Sequence, residues 1–117
     1  MAQLAIETID PAIDRGRLAR ATFGDRGLEH ELLELFDRQA TLLIERMRGG
    51  DGPLVGALAH TLKGSAAGIG AGRVANAAQG VELAAGGSAT DVSGAVDRLA
   101  AAVAEAQALI AELLRTP

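Results

Sequence analysis

The sequence contains no cysteine, tryptophan or tyrosine, and its only aromatic residues are Phe23 and Phe36. The absence of cysteine excludes disulfides and thiolate chemistry and fits a cytoplasmic protein. Strands favour β-branched and aromatic residues, so the thin content of both argues against a sheet. The formal net charge is −4, and nucleic-acid binding requires a basic stripe that is missing here.

Long apolar runs are also missing, although hydrophobic residues make up 49% of the chain. No stretch approaches the roughly 18–20 apolar residues that a membrane span requires. The N-terminus lacks the basic-then-apolar pattern of a signal peptide. We therefore expect no membrane insertion and a cytoplasmic location. The initial Met1 favours a free-standing protein over a piece excised from a larger kinase.

Alanine and leucine, both strong helix formers, dominate what is present. A chain of 117 residues is long enough for one modest core, so residues 1–117 are predicted to form a single domain with a short tail at 1–10. The predicted fold is all-α: an up-down antiparallel four-helix bundle with an additional short N-terminal helix.

Turn and cap signals divide the chain into these helices. Asp10 or Asp14 is expected to start the short helix, Asp25 the second, and Ser88 or Thr90 the last. Glycines at 49, 50 and 52, and at 86 and 87, interrupt the pattern, and Pro53 suits the first position of the helix that follows. In the second helix, the predicted inward positions are 28, 32, 35, 36, 39, 40, 43 and 47.

The stretch 59–70 places one histidine on a helix face with few side chains. Helical spacing gathers the apolar positions 55, 58, 59, 62, 66 and 69 on the side that should enter the core. His60 points the opposite way, with Lys63 at the edge and, as neighbours, Gly56, Ala57, Gly64, Ala67 and Gly68. Glycine costs roughly 0.5–1 kcal/mol relative to alanine inside a helix. A partner surface that approaches closely is the simplest compensation for this cost.

The residues His60-Thr61-Leu62-Lys63-Gly64-Ser65-Ala66, followed by Gly68, resemble the signature of histidine-containing phosphotransfer (HPt) domains of two-component phosphorelays. The similarity extends upstream through 32–36 and downstream through 81–83, so it covers most of the chain. It implies a helical phosphocarrier that accepts a phosphoryl group from a receiver-domain aspartyl phosphate and passes it to another receiver, or drains it from one.

The resemblance also implies roles for particular residues. His60 matches the phosphorylated histidine, and Lys63 matches a lysine that supports the phosphate. Members of this family place a Gln or Glu beside the imidazole, and the matching position here is Glu82. Histidine suits the reaction because its ordinary pKa of about 6.5 leaves much of it neutral at cellular pH.

The same resemblance implies which groups a partner protein contributes to the reaction and which partners are expected. The receiver supplies the aspartate and the Mg²⁺, so no cofactor or metal is expected on this chain, and no independent kinase or hydrolase activity. The expected partners are response-regulator receivers, with a hybrid histidine kinase as a further candidate, and the protein is expected to be a monomer.

Each of these residues has an ordinary alternative. His60 could lie between close-packed helices, the glycines could serve contacts within the bundle, and Lys63 and Glu82 could be solvated surface charges. The whole chain could be a non-catalytic helical module that binds a receiver without being phosphorylated. It could also be the dimerising domain of a histidine kinase, although four long helices in one chain argue against that. His30 lies among glutamates on a charged face and is interpreted as a surface residue.

Overall fold

A computed structural model of the chain describes residues 11–115. Within that range the chain forms helices and no strands, as the composition predicts. The predicted tail at 1–10, with the candidate cap Asp10, lies outside the described residues. Residues 11–115 form five helices: α1 Arg15–Ala21, α2 Arg26–Gly49, α3 Gly52–Gly68, α4 Gly72–Ala84 and α5 Ala89–Arg115.

Short polar side chains start most of these helices. The carboxylates of Asp14 and Asp25 accept hydrogen bonds from backbone N–H groups in the first turns of α1 and α2. The Ser88 hydroxyl does the same at α5. These three caps confirm the sequence prediction, because each side chain satisfies a donor that has no partner within the helix. At α3 the cap is Asp51, so this helix begins at Gly52, one residue earlier than Pro53 suggested.

The four long helices pack in sequence order around one core. Helix α3 packs against α2 and α4, α4 packs against α5, and α5 returns to pack against α2. The predicted inward positions of α3 (55, 58, 59, 62, 66 and 69) are all buried. In α4 the buried residues are 74, 78 and 81, and in α5 they are 95, 96, 99, 103, 106 and 110.

Helix α2 is rotated relative to the prediction. Leu28 and Leu35, predicted to face inward, are exposed, whereas Leu33 and Ile44 are buried and were not predicted. Positions 36, 40, 43 and 47 are buried as predicted, and the buried arc extends from them to Leu33 and Ile44, on the side away from Leu28 and Leu35. Helix α2 packs against both α3 and α5, and these contacts set its rotation. Leucines on both sides of that arc look alike in the sequence, and packing selects between them.

The short helix α1 is attached to the C-terminal end of α3. The Asp14 backbone N–H donates to the Gly70 carbonyl at 2.8 Å, and Arg17 Nε donates to the Ala67 carbonyl at 2.8 Å. Gly70 has a φ of +82°, and a Cβ at that position would lie 2.7 Å from the Asp14 carbonyl oxygen. Only glycine fits such a left-handed conformation and close approach without strain. This corner allows α4 to return along α3.

Candidate functional site

His60 lies on the outer face of α3 with 70% of its side chain exposed. The helix buries the opposite face, where Ala59 and Leu62 are fully covered. An α-helix directs successive side chains about 100° apart, so burying one apolar stripe turns His60 towards solvent. The imidazole is therefore accessible to a partner and is not enclosed by the bundle.

The ring contacts Glu82, which lies 22 residues later on α4. The distance from His60 Nδ1 to Glu82 Oε2 is 3.0 Å. An ionised carboxylate only accepts hydrogen bonds, so Nδ1 must be the protonated nitrogen in this contact. The neutral tautomer that this contact favours leaves the lone pair on Nε2.

Lys63 lies one turn after His60 and is directed to the same carboxylate. Its Nζ is 2.8 Å from Glu82 Oε1, with one third of the lysine side chain exposed. The three side chains therefore form one cluster, in which each oxygen of Glu82 faces a different group of α3. A sequence pattern with the spacing His-x-x-Lys could not reveal this shared carboxylate.

The charge of Glu82 is stabilised by its two neighbours. The Lys63 ammonium, and after it the His60 ring, hold the pKa of the Glu82 carboxyl below its usual value of 4.5. Partial burial of the carboxyl acts in the opposite direction but does not reverse the shift. Glu82 is accordingly a carboxylate over the whole physiological pH range.

The glycine face near His60 is open. Gly64 and Gly68 are exposed, and a Cβ added to either would meet no atom within 4 Å apart from its own helix and chain neighbours. Ala57 is exposed as well. No contact within the described part of the bundle requires glycine at 64 or 68, so internal packing does not explain them.

Two other members of the predicted docking set are partly covered. A Cβ at Gly56 would lie 3.4 Å from the Ala85 side chain at the end of α4. Ala67 is half-buried, and its carbonyl accepts the hydrogen bond from Arg17. Gly56 thus serves a helix contact as well, and α1 reaches the edge of the face at Ala67. The sequence did not reveal these two contacts, because neither α1 nor the end of α4 is near Gly56 or Ala67 in the chain.

A shallow groove between α2 and α3 continues the glycine face. Its α2 side includes Leu32, Leu35 and Gln39, and its α3 side includes Gly64 and Gly68. Leu35, with 55% of its surface exposed, is the most accessible apolar side chain along this groove. The sequence prediction assigned Leu35 to the core, so only the structure reveals this apolar rim.

Other site types find no support between residues 11 and 115. No group of three or more His, Cys, Asp or Glu side chains there could hold a metal ion. None of the five helices is both long and apolar enough to cross a membrane. His30, on α2, is half-buried and lies far along the chain from the His60 cluster.

Comparisons with known proteins agree with the motif. The family model of the Hpt domain matches residues 28–115, which include α3, α4, α5 and nearly all of α2. No curated protein and no solved structure matched the chain.

Proposed function

The chain belongs to the Hpt domain family, and on this premise we propose that it is a phosphocarrier whose phosphorylated residue is His60. Membership implies a role in histidine phosphotransfer within a phosphorelay and interaction with response-regulator receivers in general. The finer proposal is that His60 accepts a phosphoryl group from a receiver aspartyl phosphate and passes it to another receiver, or drains it from one. The observation that carries the proposal is the exposed imidazole whose Nδ1 is held by Glu82.

The reaction follows from the tautomer. The Nε2 lone pair attacks the phosphorus of the aspartyl phosphate, so an N–P bond forms while the acyl O–P bond breaks and the aspartate leaves as a carboxylate. The Nδ1 proton stays on the ring and continues to donate to Glu82. The ring gains positive charge as the N–P bond forms, and the neighbouring carboxylate stabilises that charge. Transfer to a second receiver is the reverse of these steps.

Lys63 supplies the cation that the transferred phosphate meets. An ammonium paired with a phosphate oxygen makes a charge-assisted contact. Its position one turn after His60, with the side chain only partly covered, supports this role. The receiver is proposed to contribute the acidic residue and the Mg²⁺, so this chain binds no cofactor and has no kinase or hydrolase activity of its own.

The docking face is proposed to comprise Gly64, Gly68 and Ala57, with Gly56 and Ala67 at its edges. The apolar groove along Leu35 extends it towards α2. A flat face beside the imidazole allows a receiver to bring its phosphorylated aspartate close to Nε2. Short-lived signalling complexes commonly use small interfaces, and a face of this kind suits one.

The proposal also covers the arrangement of the helices, the cellular location, the oligomeric state and a further partner. The four long helices are proposed to form an up-down antiparallel bundle in a cytoplasmic monomer, with a hybrid histidine kinase as a further partner. Short connections and packing between consecutive helices support the bundle arrangement.

The test is transfer of radiolabelled phosphate from a phosphorylated receiver. We expect an acid-labile, base-stable label on the wild-type protein and none on His60→Gln. His30→Gln, which removes the other histidine of the chain, is the matched control and should retain the label. A receiver that binds without labelling the wild-type protein would instead identify a non-catalytic module, and a label on His60→Gln would overturn the assignment.

A further inference from the structure

Helix α2 carries a row of leucines on its outer face. Leu28, Leu35 and Leu42 are 37%, 55% and 55% exposed. Within residues 11–115 only three other large apolar side chains are exposed, and no two of those share a helix. Residues seven apart return to almost the same direction on a helix, so the three leucines form one leucine stripe, about 21 Å long. In a single copy of the chain this stripe remains open to solvent.

Two charged side chains of opposite sign lie along one edge of the leucine stripe. At about 100° per residue, Glu31 and Arg38 lie about 40° and 60° to the same side of Leu35. Both side chains are exposed, and neither forms an ion pair within the described part of the chain. One lies four residues before Leu35 and the other three residues after it. The edge is therefore nearly symmetric about Leu35 in position and opposite in charge.

This pattern is complementary to itself when the helix direction is reversed. In an antiparallel pair of α2 helices with a two-fold axis at Leu35, this leucine faces its own counterpart, and Leu28 faces Leu42 of the second copy. The same register places Glu31 within about one residue rise, or 1.5 Å along the axis, of Arg38 of the second copy, and on the same edge. The two-fold axis repeats each contact, so two ion pairs flank three layers of leucine. A parallel pair would instead oppose like charges.

We propose that the leucine stripe is a self-association surface, at which two copies of this chain pair through antiparallel α2 helices. Burial of the leucines supplies the driving force, because apolar surface is removed from water. The exposed ion pairs add little affinity but select the antiparallel register. One helix from each copy makes a small interface, so we expect a reversible dimer and not a permanent one. The monomer proposed above is the form of the dilute protein and of the complex with a receiver.

Pairing has a consequence for docking, and this consequence rests on the proposed function. Leu35 belongs both to the leucine stripe and to the groove between α2 and α3 that extends the docking face. The paired form therefore covers part of the surface that a receiver requires. We expect an added receiver to dissociate the dimer, and a receiver that binds the dimer without dissociating it would overturn this consequence.

Sedimentation equilibrium of the wild-type protein from about 10 μM to 1 mM tests the pairing, because this range covers weak dissociation constants. We expect a concentration-dependent dimer. Leu42→Ser should lower the association constant at least about tenfold, because each dimer loses two leucines from its interface. Leu83→Ser is the matched control, since this leucine is 81% exposed on α4, and it should associate as the wild type does. A wild-type protein that stays monomeric throughout the range would show that the inference is wrong.

A charge exchange tests the antiparallel register. Glu31→Arg and Arg38→Glu each place like charges opposite one another twice in the dimer, so each should weaken association. The double variant Glu31→Arg/Arg38→Glu restores both ion pairs with their signs exchanged and should recover wild-type association. If the double variant is as weak as the single variants, the proposed register is wrong.

Cysteine cross-linking tests the position of the two-fold axis. The chain contains no cysteine, so Leu35→Cys provides one thiol per copy. A disulfide requires the two Cβ atoms to approach within about 3.5–4.5 Å, and the axis at residue 35 allows this. We expect a disulfide-linked dimer from Leu35→Cys under mild oxidation and little from Leu83→Cys. Equal cross-linking of the two variants would indicate random collision and contradict the pairing. None of these measurements needs a receiver, so failure of the proposed phosphotransfer function would leave their outcome unchanged.

Discussion

At the scale of single residues, the site depends on a carboxylate that the sequence presents as an ordinary surface charge. The family resemblance directed attention to Glu82, but its contact with the imidazole depends on how α3 and α4 pack together. His60 and Lys63 are different, because their common face follows from their three-residue spacing on one helix. The histidine could therefore be located from sequence, whereas its hydrogen-bond partner needed the tertiary structure.

The lowered pKa of Glu82 predicts a pH-dependent contribution to stability. Because the carboxyl pKa is lower in the folded protein than its usual value of 4.5, ionised Glu82 stabilises the fold above about pH 4.5. That stabilisation is lost as the pH falls through the lower folded-state value. We expect Glu82→Gln to reduce the free energy of unfolding by more at pH 6 than at pH 3.

Urea denaturation at both pH values measures this prediction. Glu34→Gln removes an exposed carboxylate of α2 and is the control for a change of one surface charge. A wild-type advantage over Glu82→Gln that is as large at pH 3 as at pH 6 would contradict the linkage, because the stabilisation by the ionised carboxylate must diminish as the pH falls below 4.5.

At the scale of elements, α3 has two faces of different composition. Its inner face is filled by apolar side chains, and its outer face carries His60 above the open positions Gly64 and Gly68. Inside a helix, such glycines lower stability relative to alanine. Their compensation does not come from packing within the described bundle, and this supports a surface kept low for a partner.

Gly64→Leu tests this interpretation of α3. Because the position is open, we expect the free energy of unfolding to stay the same or to rise by up to about 0.5–1 kcal/mol, as a helix-interior glycine is replaced. The added side chain should nevertheless obstruct the docking face, at a cost of about 1–3 kcal/mol in receiver affinity, which is about 5- to 150-fold.

The matched control for this variant is Gly49→Leu, at an exposed glycine in the last turn of α2 where a Cβ also meets nothing. Receiver titrations and thermal denaturation of both variants make the comparison. Equal affinity for a receiver in Gly64→Leu and the wild type would show that this part of α3 lies outside the interface.

At the scale of the whole molecule, the ring of helices is completed between α2 and α5. Gln107 of α5 donates to Thr41 Oγ1 at 2.8 Å and to the Asp37 carbonyl at 3.3 Å, and the Arg48–Asp97 ion pair joins the same two helices. The exposed ion pair contributes little, as solvent screens it. Most of the stability must therefore come from the shared apolar core, in which Leu99 of α5 is fully buried.

Leu99→Ala should lower the free energy of unfolding by about 2–5 kcal/mol, because it leaves a cavity among closely packed helices. Leu83→Ala makes the same chemical change on α4, where the leucine is 81% exposed, and should alter stability by no more than about 0.5 kcal/mol. Chemical denaturation gives both values. Similar losses in the two variants would contradict the burial that distinguishes these leucines.

Local signals in the sequence were enough to predict the helical fold class, three of the helix starts and the outward direction of His60. Alanine and leucine content indicated helices, Asp14, Asp25 and Ser88 marked helix starts, and the periodicity of α3 turned His60 outward. These features depend on interactions within a few residues along the chain. A helix directs its own side chains in the same way whatever surrounds it, so such predictions do not require a partner element.

Packing between helices determined the rotation of α2 and the contacts of Glu82. Helix α2 is rich in leucine, and its apolar arc is wide enough to allow more than one rotation. Contacts with both α3 and α5 selected the rotation that buries Leu33 and exposes Leu35. The meeting of Glu82 with His60 and Lys63 likewise depends on the rotation and offset of α4 against α3. Those quantities arise from close packing of distant segments, which hydrophobic periodicity along one helix does not encode.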